Sequence, residues 1–350
     1  MNKRQKIIFN KLKESEIGIK DLLIFVNQKN ERKVSKITVI RDLDRLIKLK
    51  LVVRKGRGPA VKCHISACYK MFEDVDMKNY FLDDPSERDA KTKFDLNIFN
   101  LTSESSVFNQ RELNYLDELN NSYQKNINNL PQDIIKREFE RLMIELSWKS
   151  SRIEGNTYDL LETEFLIKEN REAEGHTKLE ARMILNHKDA LEFIKKEDYK
   201  EITPNKIKKV HLALTKEMRI SNEFRNKPVG ITGTRYRPLD DSDAIKNSLK
   251  RLCDLVNQKS SLIEKSILLN LIIAYIQPFN DGNKRTSRMM GNAILLSYGF
   301  CPLSFRSVDE LEYKKAVILF YEQNNLNNFK RLFIDQYKFA VDNYFRASSS

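Results

Sequence analysis

Apolar residues recur at three- and four-residue intervals along most of this chain, the pattern of amphipathic helices. Near the start, Ile7, Ile8 and Leu12 share one face, and a second short run covers residues 19–26. A third begins after Ser35 or Thr38, either of which can cap it. Its predicted buried face is Val39, Leu43, Leu46 and Ile47, and its predicted exposed face is Lys36, Thr38, Arg41, Asp42 and Arg45. The pattern then changes. Residues 51–54 and 60–65 read as strands on either side of a basic turn, Lys55-Gly56-Arg57-Gly58-Pro59. From about residue 94 the helical period returns, in runs at 113–119, 134–148, 160–167, 178–194 and 308–345, with fraying expected at 347–350. Residues 229–234 give the one predicted strand pair of that stretch. The apolar run 267–276 ends abruptly in Gln277-Pro278-Phe279, and after a polar loop a new helix begins near Thr286. The expected fold is mainly α.

Length and composition set the domain count. The chain has 350 residues and is 41% hydrophobic, enough for two or three domains with real cores. The expected division is 1–70, an acidic connector at 71–93, and a helical domain at 94–346. Charge sharpens it. Residues 1–70 carry 19 Lys and Arg against 6 Asp and Glu, so the whole net charge of +13 lies there and the remainder is balanced. Such confinement is the footprint of a small nucleic-acid-binding module. No apolar run reaches the roughly 18 residues of a membrane span. The first residues lack the apolar core of a secretory leader. Cys63, Cys68, Cys253 and Cys301 form no regular framework, which fits a reducing, cytoplasmic setting. Cys63, His64 and Cys68 have no second ligand pair at zinc spacing, and four scattered histidines make no metal cluster. Neither a dinucleotide-binding glycine fingerprint nor a P-loop occurs.

The candidate chemistry sits at 277–288, QPFNDGNKRTSR. A loop that feeds backbone N–H groups into a helix N-terminus is an anion site. A carboxylate (Asp281), a carboxamide (Asn283), a lysine (Lys284) and two arginines (Arg285, Arg288) there suit a phosphate chain with a metal ion. The arginines are three apart and are expected on one helical face.

This stretch resembles the signature of the Fic (Fido) family: His-Pro-Phe, any residue, Asp or Glu, Gly-Asn, Gly or Lys, Arg, two residues, Arg. Every position fits except the first, where Gln277 stands in place of histidine. The resemblance implies an all-helical Fic core with a small β-hairpin flap. It implies transfer of AMP from ATP to a Ser, Thr or Tyr hydroxyl of a protein, the chain itself included, and leaves room for a homodimer. In that family the histidine is the general base, Asp281 would hold Mg²⁺, and Gly282, Asn283, Lys284, Arg285 and Arg288 would bind the phosphates. Ser150-x-x-x-Glu154-Gly155 resembles the family's inhibitory helix, whose glutamate pairs with the second signature arginine, here Arg288. Ile231, Thr232, Gly233 and Thr234 fall where the family places its target-binding flap. The ending Asn-Lys-Arg also occurs in the phosphate-transferring Doc branch, against which the Ser150/Glu154 motif and the chain length argue. Because a carboxamide has no proton to exchange near pH 7, Gln277 implies impaired transfer. The alternative is a nucleotide-binding pseudoenzyme acting as a DNA-binding transcription regulator.

Residues 1–70 are similar to a repressor-type winged helix-turn-helix, through Thr38-Val39-Ile40-Arg41-Asp42-Leu43 and the Gly56-Arg57-Gly58 turn. That implies DNA contact through Lys36, Thr38, Arg41, Arg45, Lys55 and Arg57. His176, His187 and His211 lie far from the signature in sequence, and none is nominated as a replacement base.

Overall fold

The computed structural model describes residues 1–30 and 32–346; the expected fraying at 347–350 lies outside them. The chain is mainly helical and divides into two units, one of Met1–Asp74 with Gln323–Asn327, the other of Val75–Glu322 with Asn328–Ser350.

The smaller unit runs α1 (Lys3–Glu14), β1 (Ile17–Gly18), α2 (Ile19–Lys29), α3 (Lys36–Lys48), β2 (Val52–Lys55), β3 (Lys62–Ile65) and α4 (Ala67–Phe72). Its strands form an antiparallel sheet in the order β1-β3-β2, with Val52 opposite Ile65 and Ile17 opposite Cys63. Ser35 caps α3, its side chain accepting from the Thr38 N–H. Val39, Leu43 and Leu46 join Ile8, Leu12, Leu22 and Val26 in one core. Asp42 is not on the exposed face, as expected, but 5% exposed. It accepts hydrogen bonds from Gln5 Nε2 (3.0 Å) and Arg4 Nε, so a paired carboxylate occupies the α1–α3 seam. Gly56 (φ 101°) is required at the β2–β3 turn, since a Cβ there would lie 2.5 Å from the Ala60 carbonyl.

In the larger unit follow α5 (Met77–Tyr80), α6 (Asn97–Glu104), α7 (Gln110–Asn129), α8 (Gln132–Ile153), α9 (Leu160–Glu169), α10 (Lys178–Lys196), α11 (Pro204–Thr215), α12 (Ser242–Gln258), α13 (Leu262–Ile276), α14 (Asn283–Ser297), α15 (Glu310–Gln323) and α16 (Asn327–Asn343). Every residue of α13 from Ile263 to Ile276 is buried; a helix apolar on all sides belongs at the centre of a core. Its partner α14 approaches closely because Gly291 has no side chain. A Cβ there would fall 2.0 Å from Asn270 Nδ2, and the Gly291 carbonyl accepts from Ser266 Oγ at 3.0 Å.

Two expectations are corrected. Residues 75–93 are not a connector but part of the larger unit. There Arg88, 4% exposed, pairs with the fully buried Glu322 at 3.1 Å. The predicted strand pair at 229–234 is absent: residues 222–238 hold no strand, only an isolated parallel bridge between Lys93 and Arg237. Their backbone groups bond outward, Gly233 O to Arg88 Nη2 (2.7 Å) and Arg237 N–H to Thr92 O (3.0 Å), so no hairpin ladder is left to form. The run at 308–345 is helical as expected, in two helices parted where Asn324 takes φ 52°.

Candidate functional site

The site is built on the turn from α13 to α14. Gln277 stops α13 by adopting the left-handed conformation (φ 52°, ψ 60°) while its N–H still bonds Ile273 O at 3.0 Å, and Pro278 prevents resumption. Arg225, 2% exposed, fastens this helix end. Its Nε donates to Gln277 O (2.6 Å), its Nη1 to Lys227 O (2.8 Å), its Nη2 to Ile276 O (3.4 Å), and its backbone N–H to Pro278 O (3.0 Å). A buried guanidinium is thus held by carbonyls at the negative end of a helix. Tyr236 Oη adds a bond to Tyr275 O at 2.8 Å.

Inside the loop, Asn283 Oδ1 accepts from Phe279 N–H (2.8 Å), while its Nδ2 donates to Phe279 O (2.8 Å) and Gln277 Oε1 (2.9 Å). Gln277 Nε2 donates to Ala274 O at 2.7 Å. The Asn283 carboxamide, expected to cradle phosphates, instead closes the loop on itself and is 4% exposed. Gly282 (φ 78°) caps α14; a Cβ there would sit 3.1 Å from Thr215 Cγ2 and 3.4 Å from His211 Nε2. The first helical bond runs from Thr286 N–H to Gly282 O (2.9 Å). The N–H groups of Asn283, Lys284 and Arg285 therefore precede the ladder, at the positive end of α14.

A cleft of about 460 Å³ opens there, lined among others by Glu154, Gln277, Asp281, Lys284, Arg285 and Tyr313. The two arginines, expected side by side, reach different neighbours. Arg285, 2% exposed, donates to Leu214 O (3.3 Å) and lies 3.7 Å from Asp281 Oδ2; burial lowers its pKa. Arg288, 1% exposed, turns to the end of α8, where Nε donates to Ser150 Oγ (3.0 Å) and Nη2 to Ser150 O (2.9 Å) and Glu154 Oε1 (2.8 Å). Lys284 Nζ is 3.8 Å from Glu154 Oε2. Burial pushes the Glu154 pKa up, but the Arg288 and Lys284 charges outweigh it, and the carboxyl titrates below its ordinary value. The Asp281 side chain is 70% exposed, with Oδ1 accepting from the Gly282 N–H at 2.6 Å.

Two histidines that sequence distance had set aside lie at this site. His187 Nε2 is 2.8 Å from Ser150 Oγ and its Nδ1 2.8 Å from Met183 O. A carbonyl only accepts, so Nδ1 carries the proton and Nε2 receives the Ser150 hydroxyl. Burial, with the Arg285 charge, lowers its pKa to about 3. His211 stacks on Phe279 with centroids 3.6 Å apart, and its Nε2–H donates to Asp281 O at 3.0 Å. Both hold neighbours in place rather than face the cleft. Sequence alone did not tie them or Arg225 to the site, because the partners that bring them there, Ser150, Asp281 and Gln277, lie 37, 70 and 52 residues away. Of the flap residues, Ile231 and Thr232 line the cleft, whereas Gly233 and Thr234 do not. In the smaller unit, Lys36, Arg41, Arg45, Lys55 and Arg57 are exposed, and Thr38 is half-buried beside Ser35 Oγ (3.1 Å).

Residues 201–295 match the sequence model of the Fic/DOC family. Among named relatives, the chain is 26% identical over 186 residues to protein adenylyltransferase Fic of Nematostella vectensis, covering 51% of this chain and 43% of that protein. It is 25% identical over 169 residues to protein adenylyltransferase fic-1 of Caenorhabditis elegans, covering 46% and 33%. The chain thus spans less than half the length of these relatives. Among solved structures, a fragment of Fic-1 from C. elegans superposes with a TM-score of 0.59 at 19% identity, over 67% of this chain and 72% of that one. A Fic-domain signaling protein from Bacteroides thetaiotaomicron gives 0.54 at 20%, over 65% and 92%. These likenesses establish a shared fold.

Proposed function

We propose that the larger unit is a protein adenylyltransferase of the Fic type, held inactive by Glu154 and slowed by Gln277. One observation carries this reading: at the positive end of α14, Lys284 and Arg288 are both answered by one carboxylate, Glu154, brought in from the end of α8. An anion site plugged by a side chain of the same chain is what an autoinhibited nucleotide site requires. ATP is the AMP donor, its phosphates taking the place of the Glu154 carboxylate. Among the described residues no cluster of three or more ligating side chains exists. A lone exposed carboxylate suits Mg²⁺ that arrives on a nucleotide and keeps its phosphate and water ligands. Asp281 would hold that ion, which would neutralise phosphate charge. The target is a hydroxyl on a protein, presented beside Ile231 and Thr232.

Gln277 limits turnover. Both ends of its carboxamide are engaged, by Ala274 O and Asn283 Nδ2, and it has no proton to exchange. Loss of a general base typically costs about 10²–10⁴-fold. The test is the variant Gln277→His with Glu154→Gly, incubated with ATP labelled in its α-phosphate and with lysate proteins. Incorporated label supports the reading, and its absence from a folded, ATP-binding variant contradicts it.

A second reading, a nucleotide-responsive transcription regulator, is favoured by the +13 confined to residues 1–70 and by the exposed Lys36, Arg41, Arg45, Lys55 and Arg57. In it the smaller unit is a winged helix-turn-helix with α3 in the major groove and the β2–β3 turn on phosphates. A gel shift with and without ATP and Mg²⁺ checks it; a DNA affinity indifferent to nucleotide removes it.

A further inference from the structure

A second groove, of about 930 Å³, opens in the larger unit between residues 92–94 and 230–240. It shares Gly230 and Ile231 with the cleft at α14, so the two are neighbours along one loop. Its lining is basic: Lys93, Arg235 and Arg237 against one carboxylate, Asp240. All three cations are exposed, and none makes a salt bridge among the described residues. Phe94, Pro238 and Leu239 supply apolar surface between them.

The wall is held in place before anything binds. Arg88 Nη2 donates to Gly233 O (2.7 Å), Arg235 Nη2 to Arg88 O (3.1 Å), Tyr236 Oη to Tyr275 O (2.8 Å) and Arg237 N–H to Thr92 O (3.0 Å). The Arg235 guanidinium is thereby anchored, and the backbone that carries Arg237 is fixed, which lowers the ordering that exposed charges otherwise require on binding.

We propose that this groove docks an extended acidic segment of the protein whose hydroxyl enters the neighbouring cleft. The proposal rests on the adenylyltransferase reading above. In this proposal the charge complementary to Lys93, Arg235 and Arg237 belongs to the partner.

The test uses the full chain and a fluorescein-labelled octapeptide of alternating Asp and Glu, with its Asn/Gln counterpart as control, followed by anisotropy. The wild type should prefer the acidic peptide, and more salt should weaken binding. Arg235→Glu with Arg237→Glu should weaken it about tenfold or more, as should Lys93→Glu in part, which leaves the Arg235 bond to Arg88 intact. Lys55→Glu with Arg57→Glu, in the basic smaller unit, should change it by less than about twofold. The opposite ranking overturns the proposal, as does a single-stranded oligonucleotide displacing the peptide from the groove. ATP binding, measured calorimetrically on the same variants, should not change. A failure confined to the peptide therefore rejects the groove alone, and a failure of ATP binding in the unplugged variant Glu154→Gln rejects the adenylyltransferase reading.

Discussion

Replacing Glu154 by glutamine should move two quantities in opposite directions. The carboxylate lies 2.8 Å from Arg288 Nη2 and 3.8 Å from Lys284 Nζ, and its side chain is 19% exposed. Glutamine keeps the shape and one hydrogen-bond acceptor but removes the charge, leaving Arg288, 1% exposed, without its counter-ion. Removing one partner of a fully buried pair costs about 3–5 kcal/mol. Partial exposure and the retained hydrogen bond reduce this to about 1–3 kcal/mol of stability. For a phosphate entering the same place the sign reverses. Two like charges about 4 Å apart repel by about 4 kcal/mol at an effective dielectric of 20. Solvent and salt reduce this to about 1–3 kcal/mol, so ATP should bind roughly tenfold to a hundredfold more tightly. Urea denaturation of the free protein and titration calorimetry with ATP and Mg²⁺ measure the two effects. A variant that is less stable yet binds ATP no better would show that Glu154 only supports the fold, and the plug argument would fail.

Further expectations follow from single residues. His187 is neutral in the fold, its pKa lowered to about 3, so the unfolded chain binds its proton first. Stability should fall as pH drops below about 6.5, by at most about 1.4 kcal/mol per unit from this group; denaturation from pH 7 to 5 should show a shallower slope in His187→Gln. Glu154, lowered instead, contributes stability above its unfolded value near 4.3. That contribution is lost as pH falls through the folded value, and the loss should disappear in Glu154→Gln. Gly291→Ala places a Cβ against Asn270 and should cost about 1–3 kcal/mol by prying α13 from α14, read as a lower urea midpoint. Arg225→Met leaves the carbonyls of Ile276, Gln277 and Lys227 without their donor. It should cost about 2–4 kcal/mol and weaken ATP binding through the displaced loop; full ATP affinity in that variant would contradict the positioning role.

Much of the architecture was legible in the sequence because its causes are local. The 3.6-residue period reports helices directly, and an apolar run cut off by Gln277-Pro278 reports a helix stop. The cation-rich loop at 280–288 stood out because its chemistry is concentrated in one short stretch. What was missed depends on partners far apart in the chain. Asp42 read as exposed because nothing near it announces Arg4 and Gln5. The 229–234 segment has glycines and β-branched residues enough for a hairpin, but its carbonyls and N–H groups find Arg88 and Thr92 first. Residues 75–93 looked like a linker because their acidic and Pro-Ser composition outweighed the signal of Arg88, whose partner Glu322 is 234 residues away. Asn283 was assigned to phosphate because only the folded loop reveals that its carboxamide is already occupied.

The central claim is that the α14 cradle accepts ATP for transfer of its AMP moiety once the plug and the missing base are corrected. The most direct measurement compares ATP labelled at the α-phosphate with ATP labelled at the γ-phosphate, using Gln277→His with Glu154→Gly. Transfer of α-label to protein without γ-label, falling by about 10²–10⁴-fold when Gln277 is restored, is the predicted result. Incorporation of γ-label alone, or of neither label by a protein that binds ATP, would contradict it.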